Sequence, residues 1–377
     1  MPQNTAPICS RCLMNHTDPI ITFDEHGRCN HCTEFIDKRA KYNYKGASSD
    51  REFTEVIAQI KAAGNGKQYD CVLGLSGGID SSYAAWVAKQ NGLRVLAVHM
   101  DNGWNSEEAV QNIKNIARKL GIDYESVVLN WEEFRKIQLA FLKASVPEAD
   151  TPTDIAILAA LHQVAAKYGI KHIISGGNFA TEGILPKHWH YNAKDLTYFK
   201  YICKNYGPVK LKTFPTFGFL KETYYKIFKG IKMTYLLNYV PFDKEKAIEL
   251  LEKELDWKYY GGKHYESKYT GFIQSYYLFT KFGIDYRRAT LSSQVCTGAT
   301  SREEALPILN SSPFKEEQVI KEKQYIAKKL GVSFDEFETI LALPSHWYTD
   351  YPNDEKRLSR IYDLYRKIFK KEKLGSF

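Results

Sequence analysis

The stretch over residues 70–82, DCVLGLSGGIDSS, constrains the fold of this chain more than any other. Its apolar first half predicts a buried strand over 70–75, its two glycines predict a tight turn, and a helix is expected over 82–90. A glycine-rich turn between strand and helix leaves backbone N–H groups unpaired at the positive end of the helix dipole, where a phosphate group binds well. Gly77 and Gly78 carry no Cβ atom that would keep an anion away from the main chain.

Polar side chains in the same stretch suit a nucleotide. The serine hydroxyls add hydrogen-bond donors, and a carboxylate at Asp80 can hold a Mg²⁺ ion between the protein and the phosphates. The stretch lacks the Gly-Lys-Ser/Thr ending of the common P-loop, so it predicts a phosphate-binding loop of another kind. We assign phosphate groups and Mg²⁺ to Ser76, Gly77, Gly78, Asp80, Ser81 and Ser82, with Ser76 and Asp80 also as catalytic candidates.

Two other interpretations of this stretch stay open at this point. Residues 74–78 also match the G-x-S-x-G pattern of a hydrolase nucleophile elbow, with Ser76 as the nucleophile. That elbow normally follows several earlier strands, whereas almost nothing strand-like precedes Asp70. The second alternative is a tight turn with a structural role only.

The composition is that of an ordinary globular protein large enough for more than one core, with 377 residues, 44% hydrophobic and 25% charged. A net charge of +8 suits an anionic ligand such as ATP or a nucleotide sugar, and it permits nucleic-acid binding. No apolar run of about 18 residues indicates a membrane-spanning helix. Residues 1–5 lack the basic and apolar regions of a signal peptide. We therefore expect a cytoplasmic protein with no membrane partner.

Four of the seven cysteines form two CxxC pairs, which sixteen residues separate. This spacing is typical of a zinc ribbon, in which four thiolates close a tetrahedral site. A complete shell of sulfur ligands leaves no open position, so we expect the zinc to be structural and to supply the folding energy of a small segment. Of three nearby histidines, one could replace a cysteine. The predicted ligands are Cys9, Cys12, Cys29 and Cys32.

Strands alternate with helices from residue 70 onward. A basic stretch over 38–49 predicts a linker before this region, followed by a short helix over 52–62. The alternation predicts the α/β class with a doubly wound parallel sheet, in which ligands bind at the carboxyl ends of the strands where the strand order reverses. Further strands are predicted over 94–100, 126–129 and 171–174, and further helices over 106–120, 131–143 and 153–168.

The pattern Ser-Gly-Gly-x-Asp-Ser at residues 76–81 resembles the signature of the ATP pyrophosphatase, or PP-loop, superfamily. The resemblance implies an adenine nucleotide alpha hydrolase-like fold. It also implies that the protein grips the β,γ-pyrophosphate and splits ATP between the α and β phosphates, so that AMP activates a carbonyl oxygen. Relatives hold the adenine at the end of the second strand, which here is His99, Met100 and Asp101.

A second glycine-rich turn, at the end of the fourth predicted strand, adds further candidates. Gly177 and Asn178 are assigned to the nucleotide, and Glu182 is a catalytic candidate that orients the α-phosphate or a metal. Asp154, at the start of the preceding helix, is a catalytic candidate facing the same crevice. The alternatives are an ordinary turn with a capping asparagine and a first-turn carboxylate favoured by the helix dipole.

The chain after residue 198 is dense in aromatic residues and shows amphipathic helical patterns, as over 244–255 and 316–330. We therefore predict a mostly helical region that binds the substrate or a partner. The predicted division is a zinc ribbon over 1–45, an ATP-binding α/β domain over 46–197 and the helical region over 198–377.

Two polar stretches of the helical region predict substrate contacts. The glycine-marked residues 260–272 are typical of a binding loop, and the arginines near residue 287 suit a carboxylate or a diphosphate. A solvated charged face is the alternative for the arginines. The substrate candidates are Lys263, His264, Glu266 and Arg287.

Four features together resemble the N-acetyl sugar amidotransferases of the WbpG type, namely the cysteine pairs, the loop over 76–82, GGKHYES over 261–267 and KFGIDYRR over 281–288. Those proteins act in the biosynthesis of lipopolysaccharide O-antigen or flagellin sugars. The resemblance implies that an acetamido group of a UDP-linked sugar becomes an acetamidino group. It also implies an ammonia supply from a separate glutaminase and a cyclase-like barrel partner, similar to the HisH and HisF pair of histidine synthesis.

Two other functions remain as alternatives. A PP-loop enzyme that modifies tRNA, by adenylating a base for thiolation or amination, agrees with the zinc site and the charge of +8. Against it, the basic residues form no evident patch, and no RNA-binding module is recognisable, so we expect no nucleic-acid partner. A zinc-ribbon scaffold with a relic nucleotide site is the second alternative, and the intact Asp80 argues against it.

Overall fold

The computed structural model describes residues 7–189, 193–207, 209–260 and 266–369. One parallel sheet lies at its centre, with five strands in the order β3-β2-β1-β4-β5. The order reverses between β1 and β4, so the sheet is doubly wound, as predicted. The strands are β1 (Cys71–Gly74), β2 (Val95–Asp101), β3 (Asp123–Val128), β4 (His172–Ser175) and β5 (Lys232–Tyr235).

Helices cover both faces of the sheet because successive side chains of a strand point to opposite faces. Cys71 and Leu73 of β1 share one core with four helices, whereas Val72 packs with a fifth helix on the other face. The four helices are α2 (Ala47–Ala63), α3 (Ile79–Gln90), α4 (Glu107–Leu120) and α10 (Lys244–Leu255), and the fifth is α6 (Thr151–Lys167).

The chain beyond residue 198 is mostly helical, as predicted, and the helices over 244–255 and 316–330 have the expected bounds. None of the described helices is both long and apolar enough to cross a lipid bilayer. The remaining helices are α1 (Asn30–Tyr42), α5 (Trp131–Ala144), α7 (Phe179–Glu182), α8 (Leu196–Tyr206), α9 (Phe219–Thr223), α11 (Lys268–Phe272), α12 (Leu278–Phe282), α13 (Tyr286–Thr297), α14 (Arg302–Asn310), α15 (Glu316–Leu330), α16 (Phe334–Leu341) and α17 (Glu355–Phe369).

Two elements differ from the sequence prediction. The strand β5 lies within the helical region and adds to the sheet edge, where Ile173 and Ile174 of β4 pair with Met233 and Thr234. Its sequence, KMTY, is too short to show a clear alternation of apolar and polar residues, so it gives no strand signal. The expected linker over 38–49 is mostly helix, because α1 runs to Tyr42 and α2 begins at Ala47.

The cysteine-rich segment before α2, which we call the cysteine knuckle (residues 8–33), packs against elements far along the chain. The backbone N–H of Leu13 donates to Ser292 Oγ of α13 at 3.1 Å, and Arg302 of α14 donates to the Cys12 carbonyl at 3.1 Å. The helix α1 continues from the knuckle and stacks Phe35 on Phe179 of α7, with ring centroids 4.4 Å apart. The knuckle therefore shares a core with helices that also build the site described next.

Candidate active site

The phosphate-binding loop predicted at residues 76–81 follows β1, and the second glycine-rich turn follows β4. These two strands are neighbours at the point where the strand order reverses, which is where ligands bind in open α/β sheets. The two loops touch, since a Cβ atom on Gly176 would lie only 2.7 Å from the backbone nitrogen of Ser81. Glycine is therefore required there for close packing of the two loops.

Gly77 holds the sharp turn of the phosphate-binding loop. Its φ angle is +83°, and a Cβ atom would lie 2.5 Å from the carbonyl oxygen of Ala109 in α4. The Gly77 carbonyl accepts a hydrogen bond of 2.8 Å from Trp257 Nε1. The loop is thus fixed before any ligand binds, since neighbouring elements hold both its backbone angle and its carbonyl.

The hydroxyl groups of the loop are arranged around the start of α3. Ser76 Oγ lies 3.1 Å from Ser81 Oγ and accepts a hydrogen bond of 3.2 Å from the Gly78 N–H. The Ser76 hydroxyl is thus hydrogen-bonded to other groups of the same loop, which favours a phosphate-binding loop over a nucleophile elbow. Asp80, in the first turn of α3, lines the adjacent cavity. Ser82 is fully buried, and its hydroxyl has no partner within the described residues and does not line that cavity.

A cavity of about 1230 Å³ opens in front of both loops. Its lining combines sheet ends with helices from the second half of the chain. One wall is a continuous helix formed by α11, a π-helical turn over Ile273–Tyr277 and α12, and it presents Thr270, Gln274 and Ser275 to the cavity. Single π-helical turns inside α-helices are frequent at functional sites.

The end of β2 forms the part of the cavity predicted to hold adenine. His99 and Met100 line the cavity, whereas Asp101 turns to the following loop and accepts a hydrogen bond of 2.9 Å from the Gly103 N–H. The side-chain amide of Asn105 lies 3.1 Å from His99 Nε2, and the Leu75 carbonyl lies 3.2 Å from its Nδ1. Burial lowers the pKa of His99, so the ring is neutral and donates from Nδ1.

Some residues of the turn after β4 line the cavity, and another stabilises the turn itself. Gly177 and Glu182 line the cavity. Asn178 instead caps α7, where its Oδ1 accepts a hydrogen bond of 2.9 Å from the Thr181 N–H, and it is only 1% exposed. The capping role that was the alternative for Asn178 is therefore present, and Glu182 is the carboxylate that this turn offers to a ligand.

Three carboxyl groups at the start of α6 form an acidic wall of the cavity, made of Glu148, Asp150 and Asp154. Burial raises the pKa of each, to about 7 for Glu148, about 6 for Asp150 and about 7 for Asp154, where the nearby Asp150 adds to the effect. Asp150 accepts hydrogen bonds from Thr153 at 2.7 Å and from Thr270 of α11 at 2.6 Å. Of these three residues only Asp154 is a candidate from the sequence alone, although PEADTPTD over 147–154 carries all three acidic groups.

The raised pKa of Asp154 predicts the pH dependence of stability. A carboxyl group that is harder to ionise in the folded state than in the unfolded chain lowers the free energy of unfolding as the pH rises from about 4 to about 7. The Asp154 side chain is exposed to the open cavity, where solvent screens most of the effect, so Asp154→Asn should gain at most about 1 kcal/mol at about pH 8. At about pH 4 the gain should vanish, since both states are then protonated.

Urea unfolding of the wild type and Asp154→Asn across this pH range measures the difference. Glu249→Gln serves as the control because Glu249 is exposed on α10. If the curves for Asp154→Asn and the wild type run parallel, the burial argument for this carboxyl group is wrong.

The substrate candidates of the helical region fall in different places. Glu266 lines the cavity, and its Oε2 accepts a hydrogen bond of 3.2 Å from the hydroxyl of Tyr260. Lys263 and His264 lie outside the described residues, so their predicted role stays a prediction.

Arg287 also borders the cavity, but its N–H groups are used inside the protein. They bind the Asp285 carboxylate, with Nη2 to Oδ2 at 2.7 Å, and the carbonyl oxygens of Ile308 at 3.0 Å and Ser311 at 2.9 Å. Since a guanidinium has five N–H donors and the carboxylate, carbonyls and a hydroxyl occupy all of them, Arg287 joins α13 to the end of α14. Its predicted contact with the substrate stays a prediction.

The predicted zinc ligands come together outside the cavity. The sulfur atoms of Cys9, Cys12, Cys29 and Cys32 all lie within 4.8 Å of one another, and all four residues are fully buried. A tetrahedral Zn²⁺ with bonds of about 2.3 Å separates its sulfur ligands by about 3.8 Å. The Cys9–Cys32 and Cys12–Cys29 distances are 3.7 and 3.5 Å. The four thiols therefore fit zinc, and His31 pairs instead with Asp18 at 2.6 Å.

Two family models match separate parts of the chain. The NAD synthase model matches residues 54–154, which include the phosphate-binding loop. The model described as LPS biosynthesis protein WbpG-like, C-terminal domain, matches residues 266–368. The second match begins at Glu266 and contains the cavity wall formed by α11, α12 and α13.

Curated relatives match shorter stretches. The tRNA-specific 2-thiouridylase MnmA of Pediococcus pentosaceus is 31% identical over 146 residues, which are 34% of this chain and 39% of the relative. MnmA 1 of Geobacillus kaustophilus is 35% identical over 85 residues, 20% of this chain and 23% of the relative. The chain thus spans less than half the length of these relatives.

Two solved structures are similar at low identity. NMN synthetase from Francisella tularensis has 14% identity and a TM-score of 0.29, over 58% of this chain and 99% of that one. NH3-dependent NAD synthetase from Campylobacter jejuni has 17% identity and a TM-score of 0.29, over 54% of this chain and 82% of that one. The chain therefore combines an NAD synthase-like region, which holds the phosphate-binding loop at the strand-order reversal, with a WbpG-like C-terminal domain, and the two matches together support a WbpG-type protein of the PP-loop superfamily.

Proposed function

We propose that this protein is an ATP-dependent amidotransferase. It converts an acetamido group of a UDP-linked sugar into an acetamidino group during the synthesis of lipopolysaccharide O-antigen or a related surface sugar. The observation that carries the proposal is one cavity bounded by the phosphate-binding loop on one side and by the WbpG-like domain on the other. A nucleotide and an acceptor sugar can therefore meet within it.

The chemistry explains why ATP is needed. An amide carbonyl reacts poorly with ammonia, since its carbon is stabilised by resonance and its oxygen is a poor leaving group. Attack of the amide oxygen on the α-phosphate forms an O-adenylyl imidate and releases pyrophosphate. Ammonia then adds to the imidate carbon, AMP leaves with the former amide oxygen, and an amidine remains. Positioning and charge stabilisation are the work of the protein.

The charges of the cavity divide these tasks. The N–H groups and hydroxyls over residues 76–81 are assigned to the pyrophosphate, and His99 and Met100 to the adenine side. Mg²⁺, when bound, neutralises phosphate charge, with Asp80 and Glu182 as the candidate ligands. The acidic wall of Glu148, Asp150 and Asp154 suits the nitrogen side, because ammonium and the amidinium product are both cations. An ionised carboxylate there can accept a proton from ammonium.

Ammonia is proposed to come from a separate glutaminase through a cyclase-like barrel protein. All seven cysteines of the chain are buried, and burial raises the pKa of Cys71 and Cys203. Such thiols are poor nucleophiles. We therefore predict that glutamine alone supports no product formation by the isolated chain, whereas ammonium salts do. Glutamine-dependent turnover without a second protein would contradict this supply route.

The assay that tests the function combines ATP, Mg²⁺, ammonium and UDP-linked N-acetyl sugars. We expect AMP and pyrophosphate in equal amounts, and a sugar nucleotide whose mass changes by the replacement of O with NH. Omission of either sugar or ammonium should remove the amidine. Release of ADP and orthophosphate in place of AMP would overturn the proposal.

A tRNA-modifying enzyme is the second candidate, which the matches to tRNA-specific 2-thiouridylases favour. Thiolation requires a reactive cysteine, and four of the buried cysteines are used by the metal-binding cluster. The discriminating measurement is tRNA binding at increasing salt. Affinity that falls steeply with salt concentration would favour the tRNA function, whereas AMP formation that depends on a UDP-sugar favours the amidotransferase.

A further inference from the structure

Two residues of the second half of the chain reach the phosphate-binding loop itself. A Cβ atom built on Gly78 would lie 3.0 Å from the hydroxyl of Tyr260 and 3.3 Å from Oε1 of Glu266. Tyr260 and Glu266 are joined by their own hydrogen bond of 3.2 Å. Glu266 therefore neighbours the phosphate-binding loop and not only the helical wall of the cavity.

Hydrogen bonds to the backbone hold Tyr260 and Glu266 in this position. The side-chain amide of Asn112 in α4 accepts a hydrogen bond of 2.8 Å from the Lys258 N–H and donates one of 2.9 Å to the Lys258 carbonyl. These two bonds fix the chain just before Tyr260. The Glu266 carbonyl accepts the Ser106 N–H at 2.8 Å, at the start of α4. The same helix thus anchors both residues.

A carboxylate beside a pyrophosphate site creates an electrostatic conflict. An anionic Glu266 would repel the phosphates if nothing lay between them. Mg²⁺ removes the conflict, since it commonly binds one or two carboxylates together with substrate phosphates and several waters. The Tyr260 hydroxyl is the donor in its 3.2 Å hydrogen bond to Glu266, since an ionised carboxylate can only accept.

We propose that Glu266, together with Asp80, is a ligand of the divalent cation that accompanies ATP, and that Tyr260 is the positioning residue that orients the Glu266 carboxylate. The proposal rests on the ATP-dependent part of the proposed function and is independent of the sugar. It joins the WbpG-like domain, which begins at Glu266, to the phosphate chemistry of the PP-loop domain.

The test measures metal binding directly. Mn²⁺ replaces Mg²⁺, and electron paramagnetic resonance gives the free Mn²⁺ concentration over the full-length protein saturated with α,β-methylene-ATP. Glu266→Gln keeps an oxygen that can accept from Tyr260 but removes the charge. Tyr260→Phe keeps the charge but removes the orienting hydroxyl. Glu245→Gln is the matched control, since Glu245 is an exposed carboxylate at the rim of the same cavity.

We expect Glu266→Gln to weaken Mn²⁺ binding to the nucleotide complex by about 100-fold and Tyr260→Phe by about 10-fold, within the range measured when metal sites lose supporting groups. Glu245→Gln should match the wild type. Calorimetry without metal should show that Glu266→Gln binds the analogue at least as tightly as the wild type, because the repulsion is gone.

The outcomes separate this proposal from the proposed function. Wild-type Mn²⁺ affinity in the Glu266→Gln variant would overturn the assignment of Glu266 while leaving ATP binding intact. Weakening by Glu266→Gln without any effect of Tyr260→Phe would overturn the positioning role. If the wild type binds neither the analogue nor the metal complex, the ATP-dependent function itself fails.

Discussion

Asp80→Ala should abolish the formation of AMP and pyrophosphate, with a loss of at least about 10²–10³-fold, the size seen when one group that stabilises transition-state charge is removed. Asp80 lies in the first turn of α3, next to the loop whose glycines and serines are already fixed by Trp257, Ala109 and one another. Removal of the carboxylate therefore leaves the loop in place and removes a charge that a phosphate-bound Mg²⁺ requires.

The variant should also stay folded, and this separates a chemical from a structural effect. Its melting temperature should lie close to that of the wild type. Asp335→Ala is a suitable control because Asp335 is an exposed carboxylate in the first turn of α16, and it should keep full activity. Full turnover by Asp80→Ala would remove the loop from the mechanism.

Removal of zinc should have the largest effect on stability. Structural zinc in small cysteine sites contributes about 10–16 kcal/mol, whereas the entire free energy of unfolding of a typical domain is about 5–15 kcal/mol. The cysteine knuckle packs on α13 and α14, and the helix α1 that continues from it packs on α7, so loss of the knuckle exposes helices that line the cavity. We expect Cys12→Ser to unfold the knuckle and to abolish nucleotide-dependent activity together with it.

Elemental analysis should find one zinc per chain in the wild type and less in Cys12→Ser. Near-ultraviolet circular dichroism should lose intensity, because Phe35, Trp189 and other aromatic side chains pack near the knuckle. Cys203→Ala is the matched control, since Cys203 is also buried but lies outside the cluster. Loss of its sulfur atom leaves a small cavity, which should lower the free energy of unfolding by only about 1–2 kcal/mol. A Cys12→Ser variant with wild-type stability would contradict the structural role of the metal.

Much of the fold could be predicted from the sequence because it depends on local patterns. The strands β1, β2 and β4 have apolar runs beside glycine-containing turns, whereas β3 is largely polar and exposed, and the predicted bounds of all four differ from the structure by a few residues. The phosphate-binding loop and the four zinc-type ligands follow fixed spacings, so their side chains come together regardless of the rest of the chain.

The remaining parts of the site depend on contacts between distant segments. The acidic wall depends on the approach of the start of α6 to α11, where Thr270 donates a hydrogen bond to Asp150. The role of Arg287 depends on Asp285 and on the end of α14. The approach of Glu266 to Gly78 joins residues that are separated by about half of the chain. The strand β5 was missed because an edge strand of four residues needs little hydrophobic patterning.

The position of the cysteine knuckle has a consequence for how the chain is made. Its residues leave the ribosome long before the helices that cover it, α13 and α14, which span residues 286–310. Domains often fold in order as the chain emerges. Here the inner surface of the cysteine knuckle stays uncovered until residues 286–310 have been made, so truncations ending before residue 286 should leave it exposed and prone to aggregation.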